Sequence, residues 1–456
     1  MDLATETLAK YVQEENFERL PDVVVEKSKA IILDTFGCTF GGTATSEAKI
    51  LIKIAERLGG VEESTILGLE KKFPCTVASF VNSQNANILD YDETYLNVGH
   101  PAALAVFSAL ALGERENASG RDLITSVICG YEVSTRLGIA ILPSEKRRRQ
   151  VWPYGTWQTF SAAAGACKIL GLSLREIRDA FGIAGGAAPV PSTKRVLSLP
   201  SSMIKNSNAW ATRLGVEAAL LAREGFTGLA DVLDGDDGFW VMAGSDRCDW
   251  GIIGDGLGSR YNILNASYKP WSTCRWIHPI LTALEEILSK ERFGIDDLRE
   301  ITCRSFSLVS SYPYDNQEPR SMEDAWWSVP WAVAMLILGY RSGPEWYDEE
   351  RFGDDLVRSV ARKTRVVCDE KADRAFPEET PAEVIVDTKK GKFASRVKYP
   401  KGDPQHPMSN EELREKFRYL SSFVLNRESV VRLEKAVDSL EKIDDLNELT
   451  AILATA

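Results

Sequence analysis

The chain has 456 residues, 44% of them hydrophobic and 26% charged, and a net charge of −12. Eleven Trp, 17 Phe and 13 Tyr exclude global disorder, and the length predicts two or three packed units that need no staples. The acidic balance repels nucleic acid and anionic membrane alike, so neither is an expected partner.

The N-terminal stretch is helical in pattern, with Leu3, Leu8, Tyr11 and Val12 on one stripe. It is unlike the cationic leader and apolar core of a signal peptide. Pro21 precedes a second helix through Val25, Ile31, Leu33 and Phe36, and Ala48–Leu58 continues until Gly59-Gly60 stops it. Small residues then accumulate in Ser161–Ala166, Ala184–Ala188 and Ala209–Ala222, which predicts closely packed, buried helices. The runs 102–112 and 329–338 are apolar but too short for a membrane span. Strand chemistry begins after about Asn265. Leu298–Leu308 reads as one strand, and Val384–Phe393 as a hairpin turning near Gly391, with Val397 extending its second strand. After Pro407, Ser409 and Glu412 stand at capping-box spacing ahead of Leu413, Phe417 and Leu420. The expected architecture is mostly α, with a large all-helical domain formed by both chain ends and an inserted, smaller α+β lid domain. Its expected boundaries are 1–265, 266–402 and 403–456.

Eight scattered cysteines without CxxC spacing read as reduced thiols, most of them buried, and the expected compartment is the cytoplasm or an organelle matrix. Three histidines in the whole chain argue against a zinc or di-iron centre. Gly254–Gly258 lacks a preceding strand and the GxxG ending of a dinucleotide site, and Asp231, Asp234, Asp236 and Asp237 miss the EF-hand pattern. With no Walker, GxSxG or HExxH motif either, no cofactor and no metal are expected.

Three segments concentrate polar chemistry. The first runs Asn82–Thr94, including Asp90, and continues into Gly99-His100-Pro101. As plain structure, Asp90 and Asn87 would cap turns and His100 would make one backbone hydrogen bond. The second is Lys205 at the head of an alanine-rich helix that ends in Gly225-Phe226-Thr227-Gly228. Lys205 is there either a snorkelling cation or half of an anion site. The third, Tyr268–Pro279, places Lys269, Arg275 and His278 among aromatics between two prolines, a poor composition for a plain linker.

Taken together, LDYDET…HP, MxK…GFTG, KPxxxCRxxHP, the serine-led helix 328–340 and the late Pro400–Pro404 segment resemble the MmgE/PrpD family over the full length. That family includes 2-methylcitrate dehydratase, cis-aconitate decarboxylase and iminodisuccinate epimerase. The resemblance implies a metal-independent homodimer with its site in the cleft beneath the lid. It puts family site positions on Asp90, Thr94, His100, Lys205, Lys269 and His278, with Arg275 beside the substrate carboxylates. One departure stands out. Trp152 occupies the place where many members carry a histidine, and Tyr154 is the nearest phenol, either a replacement acid/base or pocket wall. Asn206 and Ser207 stand where relatives are often more basic, which implies a substrate smaller than a tricarboxylate.

The resemblance implies cofactor-free lyase chemistry on a small di- or tricarboxylate, next to a carboxylate-bearing carbon. β-Elimination of water leads, with Lys269 or His278 removing the proton and His100, assisted by Asp90, protonating the leaving hydroxyl. Decarboxylation needs only charge stabilisation and one proton donor. An epimerase using a lysine/tyrosine pair is the alternative, and a non-catalytic relative is the second. Keeping five buried polar residues argues against the latter.

Overall fold

A computed structural model describes residues 3–196 and 201–454, without the side chains of Ile204, Asn206 and Ser207. The protein is mostly α-helical, with one four-stranded sheet and a two-residue strand pairing among the described residues. Two compact units emerge. The first comprises Met1–Ile88, Asp92–Ala266 and Glu411–Ala456; the second comprises Leu89–Tyr91 and Ser267–Asn410.

In the first unit the Tyr154–Ile169 helix is the axis, with Pro101–Glu116, Gly120–Ala140 and Met203–Arg223 packed around it. Residues from Gly155 to Cys167 are all buried. This is possible because the helix offers mainly methyls and hydroxyls, so its neighbours approach its backbone. At Gly215 an added Cβ would stand 2.5 Å from that of Ala162, too close for any side chain. Both chain ends contribute. Phe417 packs against Gly37, and Lys416 pairs with Asp34 at 2.7 Å, both side chains nearly inaccessible. Among the described residues no helix is long and apolar enough to cross a membrane.

The second unit is built on strands in the order 364–368, 298–305, 382–388, 391–397, the first pair parallel and the others antiparallel. The expected hairpin is present. Ala382–Thr388 pairs with Gly391–Val397 through a two-residue turn, and Gly391 (φ 143°) holds a conformation that side chains rarely adopt. The strand expected to run to Leu308 stops at Ser305. There the Ser305 hydroxyl donates to the Pro381 carbonyl, and the Ser307 amide is drawn to Asp373 at 2.7 Å. The His278–Lys290 helix packs on the hairpin strands, and the Val329–Ile337 helix packs on that helix, capped by Ser328 accepting from the Trp331 amide. His278 is therefore the first residue of a helix seated on a sheet, a rigid place for a side chain with chemistry to do.

Candidate active site

In the second unit Lys269 is 1% exposed and spends two of its three N–H donors on one residue. It donates to the Asp90 backbone carbonyl at 2.9 Å and forms an ion pair with the Asp90 carboxylate. Asp90 can present both groups because its backbone is left-handed (φ 50°), a conformation that Asp tolerates better than most side chains. Its neighbours are stitched to the same strip of chain. The Tyr91 hydroxyl donates to the Pro270 carbonyl at 2.9 Å, the Ser272 hydroxyl to the Leu89 carbonyl at 2.6 Å, and the Tyr347 hydroxyl to the Ser272 carbonyl. The third Lys269 N–H has no partner among the described residues.

Arg275 follows on a 3₁₀ turn, buried, with Nη2 on the Asp403 carboxylate. Its Nε and Nη1 are buried and reach no acceptor among the described residues. Asp403 is held there by a tight turn at Gly402 (φ 92°). The Gly402 amide donates to the His406 carbonyl at 2.8 Å, and a Cβ at Gly402 would collide with the Tyr268 carbonyl. His278 is also buried. One ring nitrogen, Nε2, lies 3.2 Å from the Thr273 carbonyl. A carbonyl only accepts, so Nε2 carries the proton and Nδ1 keeps its lone pair. Burial, reinforced by the charges of Lys269 and Arg275, lowers the His278 pKa well below its ordinary 6.5. The imidazole is thus neutral at physiological pH. Cys274 lies 3.5 Å from the Tyr314 hydroxyl, and burial pushes its thiol up to about 11, so it is not a thiolate nucleophile.

The first unit holds the other set. Half-buried His100 precedes the Pro101–Glu116 helix, its Nδ1 3.1 Å from both the Asp92 carboxylate and the Glu93 carbonyl. Both are acceptors, which fixes the proton on Nδ1. Asp92 is itself held by Asn87 Nδ2 at 2.9 and 3.1 Å. Glu93 reaches the Ala102 amide at 3.2 Å and the Tyr131 hydroxyl, and burial pushes its carboxyl up to about 8. Thr94 is buried nearby in sequence, and its hydroxyl has no partner among the described residues. Lys205 is buried in the first turn of Met203–Arg223, while the Asn206 and Ser207 side chains lie outside the described residues. Tyr154 opens the axial helix, its ring edge-on to Trp152 at 4.9 Å and Trp157 at 5.8 Å.

Sequence reading passed over three residues of this set. Asp92 and Glu93 were hidden among the acids of one run. Gln158 sits in the small-residue helix with both amide atoms buried and unpartnered among the described residues, and its Nε2 abuts Gly99. A long amide amid alanines and serines was the available signal.

Family profiles of the MmgE/PrpD N-terminal domain and the MmgE/PrpD C-terminal domain match residues 6–249 and 271–442. The chain belongs to the MmgE/PrpD family. It is similar to cis-aconitate decarboxylase from Homo sapiens, 28% identical over 98% of this chain and 94% of that protein. It is also similar to cis-aconitate decarboxylase from Aspergillus terreus, 24% identical over 95% of this chain and 92% of that protein.

Proposed function

We propose that the protein is a lyase that makes or breaks a bond next to a carboxylate-bearing carbon of a small di- or tricarboxylic acid, without a cofactor. The observation that carries this reading is the pair of buried cations with unspent donors, Arg275 Nε and Nη1 and the third N–H of Lys269. A buried guanidinium with two idle donors is costly unless a ligand completes it, and a carboxylate matches its fork. The same charges would stabilise the negative charge that spreads onto that carboxylate as the adjacent bond breaks. His278 is neutral with its lone pair on Nδ1, and a bound anion that offsets the charges of Lys269 and Arg275 would raise its basicity toward that of a general base. His100, with Nδ1 on Asp92, is proposed as a second acid/base, and His100→Gln should then lower kcat about 10²–10⁴-fold.

Loss of carbon dioxide and loss of water are both within this chemistry, and the named relatives support including cis-aconitate among the first substrates. The decisive experiment is proton NMR in deuterated water with cis-aconitate, citrate, 2-methylcitrate and malate. New olefinic signals, or loss of the hydroxyl-bearing carbon, support the lyase. Deuterium entry into a chiral diacid without net conversion would move the reading to an epimerase, with Tyr154 as a catalytic phenol. No change with any of these acids would count against both. We also propose that the protein is a homodimer, which its mass in solution would decide.

A further inference from the structure

Away from the residues assigned above, the second unit carries a cavity of about 170 Å³ lined by Glu318, Arg320, Trp331, Phe352, Arg358 and Arg362, among others. Trp331 and Phe352 stack nearly parallel, centroids 4.6 Å apart at 11°. Trp331 is buried, and its Nε1 has no partner among the described residues. The charge around this aromatic pair does not balance. Arg362 is committed to Glu318, with Nε at 3.0 Å and Nη2 at 2.7 Å from one carboxylate oxygen. The guanidinium groups of Arg320 and Arg358 have no hydrogen-bond or ion-pair acceptor among the described residues. All three nevertheless act on one place. The Arg362 hydrogen bond, then the fields of Arg362, Arg358 and Arg320, hold the Glu318 carboxyl below the usual carboxylate range.

Three guanidinium groups surround the Glu318 carboxylate, and the other acid at this place, Asp324, meets Arg320 through its backbone amide at 3.2 Å, so the Arg320 and Arg358 guanidinium groups keep their donors unspent. Like charges held together are unfavourable unless a counter-charge joins them. A guanidinium is the side chain whose planar fork fits phosphate and carboxylate oxygens. At about 170 Å³ the cavity is smaller than the roughly 300–1,000 Å³ of pockets for drug-sized ligands, so its occupant is small. We propose that this pocket binds a small dianion, a phosphate or a short dicarboxylate, between Arg320 and Arg358 and against the Trp331–Phe352 pair. None of its lining residues belongs to the candidate active site, and the proposal does not depend on the lyase reading.

The test is calorimetric titration of the full-length chain at constant ionic strength, with inorganic phosphate in one arm and succinate in the other. Saturable binding of phosphate alone would identify the occupant as a phosphate group, and of succinate alone as a diacid. The double variant Arg320→Ala/Arg358→Ala removes only exposed side chains. It is expected to weaken binding about 100-fold, tenfold for each guanidinium removed from the anion. Glu318→Gln frees Arg362 and is expected to tighten binding severalfold. Circular dichroism of each variant checks that the fold is kept. Absence of saturable binding in both arms, binding that survives in the double variant, or binding that weakens in Glu318→Gln would each overturn the proposal.

Discussion

His100 in the first unit and His278 in the second solve the same problem with opposite surroundings. Around His100 the near groups are acids: Asp92 on Nδ1, and Glu93 beside it, bonded to Tyr131 and the Ala102 amide. Around His278 they are the cations Lys269 and Arg275, paired with the Asp90 and Asp403 carboxylates and each still with donors to give. Burial acts on both sets by disfavouring charge. In the acidic set it raises Glu93 to about 8, and in the cationic set it lowers His278. On the proposed function, the first set holds an imidazole in place and the second receives an anion.

The largest effect expected from breaking that contrast is at Lys269. Lys269→Met leaves the Asp90 carboxylate buried without its cation, which should cost about 3–5 kcal/mol of stability by urea unfolding. Asp90→Asn in the same chain should restore much of the loss, because the pair then leaves together. Turnover should stay abolished in both variants. Arg275→Ala should lower kcat about 10²–10³-fold, the effect of deleting one preorganised donor to developing charge. Arg275→Lys should restore little of this, because a single ammonium cannot reproduce the fork.

The two titrating groups give opposed pH dependences, which single substitutions separate. His278 is depressed, so below its unfolded value near 6.5 the unfolded chain binds a proton that the folded chain refuses. The stability it supplies is therefore lost as the pH falls. Glu93 is raised. Between 4.5 and about 8 the folded chain keeps a proton that the unfolded chain has released, and stability falls as the pH rises. From pH 6.5 downward, where both groups differ in protonation between the folded and unfolded chain, the two slopes oppose each other, each up to about 1.4 kcal/mol per pH unit. Glu93→Gln should expose a stability that climbs with pH across that interval, and His278→Asn one that declines. Melting temperatures at half-unit pH steps would show both, and parallel curves for the two variants would contradict the assignment.

Much of this was legible in the sequence for stated reasons. The packed helices announced themselves through runs of small residues, and the hairpin through alternation ending at Gly391. Lys269, Arg275 and His278 stood out because charged groups between prolines and aromatics make no sense as a linker. Pairings between distant positions were less visible. Nothing in the local pattern says that Asp403 holds Arg275, or that Asp92, two residues past Asp90, bonds to His100. Those choices depend on turns such as the left-handed backbone at Asp90 and the Gly402 bend, which reverse a side chain's direction without marking the hydrophobic period. The end of the strand at Ser305 is of the same kind, decided by Pro381 and Asp373 from elsewhere in the chain.

The smallest effect is expected at Tyr154, and it bears on the reaction type. Its ring lies edge-on between Trp152 and Trp157, the packing of a wall residue. If that is its whole part, Tyr154→Phe keeps the ring and its packing, and kcat should change by no more than about twofold. A phenol that shuttles protons would instead cost about 10²–10⁴-fold on losing its hydroxyl. That larger loss should come with a pH–rate profile that loses its basic limb, since the group that titrates there would be gone. A lyase that uses His278 as its base has no need of a second acid/base on the opposite face of the substrate carbon, whereas an epimerase does. The tyrosine variant thus separates the two chemistries even before the natural substrate is in hand, provided any acid in the panel exchanges its proton.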